Sequence, residues 1–317
     1  ADVVTTVLAG YALGEAGVDA GLTLAYGAHS FLCADTIFAH GSQRQKERYL
    51  PNLASGQWVG CMGLTEPGAG SDVASMTTKA ERRGDRYVLN GSKIFITNGP
   101  VADVALVYVK TGKDERHSGI SAFLVEKGTA GFSSGAPLNQ LGVRTSHTSE
   151  LFFEDCEIPA ENKVGPEGAG FNMAMQTVEW DRSALLAPLV GGMEYVLAKC
   201  AAYAKERRQF GRAIADFQAT KHKLAQMKIF IEAAKGLVFR IAACKDQGKP
   251  VNHLEAAVAK LFVGDWSLAP TNDAMILHGG YGFCHEYGVE RHFRDCRLAP
   301  IGGGTSDVQK MILAKMM

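Results

Sequence analysis

The chain has 317 residues, 46% of them apolar, enough to bury a large core spread over two or three subdomains. Lysine plus arginine and aspartate plus glutamate stand at 33 each, so no global field recruits nucleic acid or an anionic membrane surface. Seven cysteines occur without a Cys-x-x-Cys pair or a zinc spacing, an odd count that fits reduced thiols in a cytosol or matrix.

No run of 18 apolar residues is present, so no integral membrane segment is expected, and no basic-plus-apolar leader precedes Ala1. Val3 to Leu13 read as the middle of an apolar helix, as if an N-terminal segment were missing from this numbering. Residues 1–57 are expected to be helical, broken at Gly14–Gly21, with Gln43-Arg44-Gln45-Lys46-Glu47-Arg48 leading to Pro51. From about 58 to 160 the pattern changes to short strands at Tyr87–Leu89, Ile94–Thr97, Val104–Val109, Ile120–Val125 and Glu150–Glu154, separated by Gly, Asn and Asp turns. After Gly170 three long helices are expected, over about 170–208, 215–247 and 253–277, each with apolar residues at three- and four-residue spacing. The result is an α+β chain: an incomplete N-terminal helical domain (1–57), a middle antiparallel β-barrel or sandwich (58–160) and a C-terminal helical bundle (161–317).

Two blocks in the middle stretch carry the chemistry. Leu64-Thr65-Glu66-Pro67-Gly68-Ala69-Gly70-Ser71-Asp72 is a glycine-punctuated loop. Gly68 and Gly70 let backbone N–H groups approach an anionic or planar ligand, and Thr65 and Ser71 add hydroxyls at its ends. Asn90-Gly91 suits a type I′ turn between Tyr87-Val88-Leu89 and Ile94-Phe95-Ile96, which would make a β-wall carrying Phe95 and Thr97 beside that loop. His278 and His285 share no ligand spacing with a carboxylate or cysteine, so packing or hydrogen bonding is their expected role and no metal site is expected. Cys61 and Cys284 read as buried small side chains and not as nucleophiles, since nothing nearby would depress their pKa.

Seven separated blocks then agree, and the chain resembles the acyl-CoA dehydrogenase family. They are Leu64–Asp72, Asn90–Gly99, Ile158–Asn162, Glu206–Gly211, Phe217–Ala219, His278–Gly282 and Ile301–Ser306, in family order over nearly the whole sequence. The resemblance implies a flavoenzyme that binds FAD, takes an acyl-CoA, passes electrons to an electron-transfer flavoprotein and assembles as a homotetramer, in a bacterial cytoplasm or a mitochondrial matrix. It implies a C-terminal four-helix bundle. It also implies that Met62, Leu64, Thr65, Gly70 and Ser71 line the flavin, with Phe95 and Thr97 against the isoalloxazine and Thr305 nearby. Arg207 and Phe210 resemble the pair that reaches the FAD of a neighbouring subunit, the arginine on its pyrophosphate, where a planar guanidinium grips oxygens bidentately. Gln218 resembles a glutamine that holds FAD across subunits, and the backbone of Gly279 and Gly280 approaches the cofactor. Ile276 departs from the pattern, since many members carry glutamine there.

The implied reaction removes a proton from the substrate Cα while hydride leaves Cβ for flavin N5, giving an enoyl-CoA. It needs a carboxylate base whose pKa burial has raised toward its task, and donors that polarise the thioester oxygen. Many relatives place a glutamate just before the Gly-Thr of the last block, but here that position is Gly303, whose backbone N–H remains a candidate donor. A second family solution puts the acid on the long helix, directly before an arginine and 29 residues ahead of the Phe of the Arg-x-x-Phe-Gly block; counting back from Phe210 lands on Asp181, followed by Arg182. Asp181 is therefore the expected base. Aspartate is shorter than glutamate by one C–C bond, on the order of 1.5 Å, which suits a substrate branched or cyclic at Cα, such as cyclohexane- or cyclohexenecarboxyl-CoA. Asp35, in the apolar stretch Cys33-Ala34-Asp35-Thr36-Ile37, is a candidate second acid. A flavin-dependent acyl-CoA oxidase and a non-catalytic acyl-CoA or flavin-binding homologue stay open as alternatives.

Overall fold

A computed structural model of the chain describes residues 2–112, 117–249 and 253–317, with the backbone alone for 179–183 and 253. Helices α1 (Val3–Glu15) and α2 (Ala20–Gly27) lead through a π-helix (Ala28–Ala34) into α3 (Asp35–His40) and α4 (Gln43–Ala54). Eight strands follow: β1 (Gly60–Gly63), β2 (Lys79–Arg83), β3 (Arg86–Thr97), β4 (Val104–Lys110), β5 (Ile120–Glu126), β6 (Phe132–Ser134), β7 (Thr148–Pro159) and β8 (Lys163–Val164). Then come α5 (Gly170–Ala184), α6 (Leu186–Glu206), a small ribbon of β9 (Arg208–Gln209) and β10 (Arg212–Ala213), α7 (Gln218–Asp246), α8 (His253–Trp266), α9 (Leu268–His278), α10 (Val289–Cys296) and α11 (Ser306–Met316). Contacts divide the chain into two units, one built from Ala1–Thr23, Gln140–Thr145 and Asp181–Met317, the other from Leu24–Asn139 and Ser146–Trp180. Among the described residues no helix is long and apolar enough to cross a membrane.

The second unit holds one sheet in the order β6-β7-β3-β2-β4-β5-β8, with β1 paired in parallel to β4. Strands β4 and β5 are buried along almost their whole length because alternate side chains enter two different cores. Val104, Leu106, Tyr108, Ile120, Ala122 and Leu124 pack with Cys33, Ile37, Tyr49, Leu53 and Met173 from the helices. Ala105, Val107, Val109, Phe123 and Val125 pack with Tyr87, Leu89, Ile96, Leu151 and Phe153 from β3 and β7. The Tyr87 and Phe123 rings lie 4.7 Å apart although β2 and β4 separate their strands in the ladder, so the sheet curls over its own inner face. Its end strands β6 and β8 each pair with one neighbour among the described residues, so the expected barrel is not closed; the sheet is an open, curled one, antiparallel but for the parallel pairings of β4 with β1 and β2.

The Asn90-Gly91 hairpin does not form. Strand β3 runs through both residues, and the chain instead reverses at Gly84-Asp85, between β2 and β3. Asn90 pairs with Lys79 in the ladder and turns its amide toward β7, where Nδ2 donates to Asp155 Oδ1 at 3.1 Å and Oδ1 accepts from Asp155 N at 2.9 Å. Asp155, at φ 46°, lies where the register slips between Leu89↔Cys156 and Gly91↔Phe153, a β-bulge with its extra residue on β7. Gly91 has φ 138°, and a Cβ there would come within 2.7 Å of Thr78 Cα. Glycine is thus needed for a close backbone crossing, not for a reversal.

In the first unit, helices α6, α7, α8 and α9 pack on one another, with α1 laid across α6 and α7 and α11 on α8. The expected break at Gly14–Gly21 is present, since α1 ends at Glu15 and α2 begins at Ala20, but Gly14 itself is helical: Gly10 and Gly14 face Pro188, and a Cβ at Gly14 would sit 2.0 Å from the Pro188 carbonyl oxygen. Two of the long helices expected from periodicity are each divided. The breaks fall at Leu185 and Ser267, and in both cases a proline, Pro188 or Pro270, stands three residues later. A proline has no N–H for the carbonyl four residues back, which here belongs to Ala184 or Trp266, the last residue of the preceding helix.

Gly91→Ala is expected to destabilise the second unit by at least about 2 kcal/mol, since strain at positive φ adds to a backbone clash that no rotamer relieves. Urea unfolding followed by circular dichroism reads the shift; an unchanged midpoint would refute the tight crossing.

Candidate functional site

In the second unit the glycine-rich loop and strand β3 are joined at several points. The loop closes on itself through Glu66 N→Ala69 O at 3.0 Å and Ala69 N→Glu66 O at 3.1 Å, and Ile94 N donates to Thr65 O at 2.9 Å. Thr65 is thereby held beside the Ile94-Phe95 step. Gly68 and Gly70 have no atom within 4 Å of where a Cβ would stand, and among the described residues the amides of Gly68, Gly70 and Ser71 donate to no backbone carbonyl. Between Lys93↔Leu151 and Ile96↔Ser149 the ladder slips by one residue, a second bulge, this time with its extra residue on β3. Phe95 sits in that bulge at φ 60° with its side chain turned out, 65% exposed. Thr97 stands two residues on, opposite Thr148, whose Oγ1 is buried without a hydrogen-bond partner among the described residues. Met62 is half-buried on β1, opposite Leu106. An outward aromatic ring, flanking hydroxyls, idle amides and an orphaned buried hydroxyl form a donor set that fits a flat heteroaromatic group with polar edges.

Beneath this surface lies a charge pair that sequence reading passed over, although both residues stood inside the quoted blocks. Lys93 and Glu66 are buried, with Lys93 Nζ donating to Glu66 Oε1 at 2.7 Å. The ammonium also donates to Leu64 O at 3.2 Å and lies 3.8 Å from Met76 Sδ. Glu66 accepts in addition from Thr78 N at 3.0 Å, Thr77 N at 2.6 Å and Thr77 Oγ1 at 2.9 Å. Burial works to raise the Glu66 carboxyl, but the Lys93 ammonium and the Thr77 and Thr78 donors outweigh it and hold the group well below the usual carboxylate range. Burial likewise draws the Lys93 ammonium down, against the pull of Glu66. The signal available in the sequence was a lysine at an inward strand position, which demands a partner.

Asp35 stands half-buried where the π-helix meets α3. The π-helix is an irregularity of a kind frequent at functional sites. His29 within it is tied on both ring nitrogens: Nε2 lies 3.1 Å from Leu53 O and Nδ1 accepts from Gly60 N at 3.0 Å. Burial holds this imidazole below its ordinary pKa, in its neutral form.

In the first unit, Arg207 ends α6 and its guanidinium lies 5.5 Å from the Tyr281 ring centre. Tyr203 OH donates to His278 O at 3.2 Å, which brings the Gly279–Gly280 step to the same end of α6. Both glycines are exposed with open space around them, and Gly279 has φ 61°. Phe210 and Gly211 form the two-residue turn of the β9–β10 ribbon, both at positive φ (50° and 80°), as a type I′ turn requires. Phe210 is 93% exposed. Gln218 opens α7 and is exposed. Thr305 caps α11, its Oγ1 accepting from Val308 N at 3.3 Å, which leaves its O–H free to donate elsewhere. Gly303 and Gly304 precede it at φ 65° and 94°. Position 181 lies in α5; the Asp181 side chain is outside the described residues. His278 is buried, with Nδ1 2.8 Å from Ala274 O and its ring stacked 4.2 Å from Tyr203, and His285 pairs with Glu290 at 2.6 Å. Burial pushes the Cys61 thiol well above its ordinary value, so it is no nucleophile; Cys284, expected to be buried as well, is instead exposed, at the junction of two short 3-10 turns.

Comparison with known proteins follows the same chain order. Profiles of the acyl-CoA dehydrogenase N-terminal, middle and C-terminal domains match residues 1–57, 61–156 and 168–317. The short-chain specific acyl-CoA dehydrogenase of Megasphaera elsdenii is 43% identical over 312 residues, covering 98% of this chain and 81% of that protein. A solved chain from the study of the electron transferring flavoprotein of Acidaminococcus fermentans superposes with a TM-score of 0.96 at 43% identity, over 99% of this chain and 82% of that one. The prolyl acyl carrier protein oxidase AnaB superposes with a TM-score of 0.96 at 36% identity, over 99% and 82%.

The buried pair gives the site a signature independent of kinship. Lys93→Met strands the Glu66 charge and is expected to cost about 3–5 kcal/mol in urea unfolding, whereas the double variant Glu66→Gln/Lys93→Met recovers most of it. Because the Glu66 pKa is depressed on folding, its contribution is present above its ordinary titration near 4.5 and lost as pH falls below it. Glu66→Gln should therefore flatten the acid limb of a stability–pH profile; an unaltered limb would count against a charged pair.

Proposed function

This chain belongs to the acyl-CoA dehydrogenase family, and on that premise we propose that it oxidises an acyl-CoA thioester to the α,β-enoyl thioester with FAD, Asp181 being the base. FAD, when bound, accepts the hydride that leaves Cβ. The reading rests on one observation above others: a bulge that turns Phe95 outward beside a loop whose amides at Gly68, Gly70 and Ser71 have no carbonyl partner among the described residues. Met62, Leu64, Thr65, Gly70, Ser71, Phe95 and Thr97 would hold the flavin. Arg207, Phe210, Gln218, Gly279, Gly280 and Thr305 would complete FAD binding, with Arg207 and Phe210 serving a neighbouring subunit in a homotetramer. An electron-transfer flavoprotein is the proposed acceptor.

The residues of this chain then have to manage one proton. The bond between Cα and its hydrogen breaks toward a carboxylate as the Cβ hydride departs, and the double bond forms between them. Asp181, on α5, is proposed to take that proton because position 303, a glutamate in many relatives, is here glycine at φ 65°, where a glutamate side chain would be strained. The Gly303 N–H is proposed to polarise the thioester oxygen, as preorganised donors do for developing oxyanions. Asp35, half-buried in the second unit, is proposed as a second acid for a substrate with a ring at Cα. The likeness to AnaB supports a second reading, an oxidase that delivers electrons to oxygen from a carrier-bound acyl group.

Asp181→Asn should retain FAD and lower the rate of anaerobic flavin bleaching by acyl-CoA by about a hundred- to ten-thousandfold, the range for a lost general base. Unchanged bleaching would remove the assignment. A panel of straight, branched and cyclic acyl-CoAs identifies the substrate, and Asp35→Asn should slow the cyclic ones selectively. Slow reoxidation of the reduced enzyme in air fits a dehydrogenase, and fast reoxidation favours the oxidase.

A further inference from the structure

We propose that the buried Glu66–Lys93 pair is the positioning device for FAD: it sets the shape of the loop from Leu64 to Ser71 into which the flavin is read above, and so fixes cofactor affinity and not only the stability of the sheet. The inference rests on that reading of the loop.

The argument starts from connectivity. Lys93 has three N–H donors, and three groups surround them: Leu64 O, Glu66 Oε1 and Met76 Sδ. Glu66 takes the ammonium and three further donors, all from Thr77 and Thr78. Three stretches of chain that share no regular secondary structure meet at this point: the start of the loop, the segment after its end, and β3. The lysine stem needs space, and Gly63 supplies it: a Cβ there would lie 3.3 Å from Lys93 Cγ and 3.0 Å from a Val107 methyl.

A purely structural need would be met more cheaply by apolar side chains, because two buried charges cost desolvation that their attraction barely repays. What charges provide is direction. The ammonium pulls the Leu64 carbonyl inward, and the carboxylate pins the residue whose own backbone closes the Glu66–Ala69 turn. That turn keeps Gly68, Gly70 and Ser71 from pairing with the sheet. Lys93 also stands two residues before Phe95, on the near side of the bulge, so one anchor sets the register of both the loop and the outward ring. Neither residue is exposed, so neither touches a ligand; both act through the backbone they hold.

The test titrates FAD into flavin-stripped protein and reads the dissociation constant and the visible flavin spectrum, beside the thermal midpoint of each apoprotein. The double variant Glu66→Gln/Lys93→Met should stay folded and bind FAD at least tenfold more weakly, with a blurred flavin band. Leu53→Ala, a cavity in the core against the helices, should lower the midpoint and leave the FAD constant within twofold. Glu66→Asp keeps the charge while withdrawing it by one methylene, and should weaken FAD severalfold; it serves where the double variant does not fold. Wild-type affinity and spectrum in either folded variant would overturn the proposal. If the unaltered chain binds FAD but Thr97→Ala and Phe95→Ala leave affinity and spectrum unchanged, the assignment of the loop itself fails instead.

Discussion

A lysine inside a β-sheet needs a counter-charge, and much of the second unit can be understood as the geometry that provides it. Glu66 is not on a strand of the sheet. It reaches Lys93 from a turn, and that turn is closed by two backbone hydrogen bonds between Glu66 and Ala69. The glycines that follow are thereby displaced from the ladder. Once they are, their amides are left without carbonyl partners, a state that a protein maintains only where water or a ligand completes the bonding. The ion pair and the open amides are thus two ends of one constraint.

The same logic of imposed strain recurs at the aromatic residues. Five non-glycine residues among those described have positive φ, and two of them are Phe95 and Phe210, in different units and different local settings. Phe95 is driven there by a bulge, Phe210 by a two-residue ribbon turn. Each conformation costs of order 1–3 kcal/mol and survives only because flanking pairing over-determines it. Each also leaves a large ring exposed, a second cost for an isolated chain. Residues that bear both costs are better explained by what they contact in the working enzyme than by the fold that holds them.

Periodicity made the strands and helices legible, since the unbroken apolar run Val104–Val109 records a strand buried on both faces and the three-and-four spacing after Gly170 records the buried face of a helix. What it missed follows physical rules of other kinds. Asn90-Gly91 has hairpin chemistry, yet the glycine answers to Thr78 across a crossing and the asparagine to Asp155, contacts between residues distant in sequence. Pro188 and Pro270 each interrupt a helix whose hydrophobic stripe continues past them, so the stripe alone reads as one helix. On the side of function, Phe95, Thr97, Arg207 and Phe210 stood out through motif blocks, while Glu66 and Lys93 lay inside those blocks without a role. An inward lysine announces that it needs a partner, but which residue answers is invisible to composition and to spacing, because the two are joined only by the fold.

The vacant position in the last loop bears on the choice of base. Gly303 and Gly304 both adopt positive φ, so the loop follows a path that a β-carbon at 303 would resist. The loop's end is fastened from outside: Lys260 Nζ donates to Ala299 O, and Ser306 Oγ to Asp265 Oδ1. An acid grafted at 303 would bear the strain of positive φ in a fastened turn, whereas position 181 lies on α5, a regular helix whose backbone imposes none. Helices hold a side chain's origin more firmly than glycine loops do. A shorter side chain on that firmer origin has fewer rotamers to lose on ordering, and its reach is correspondingly fixed.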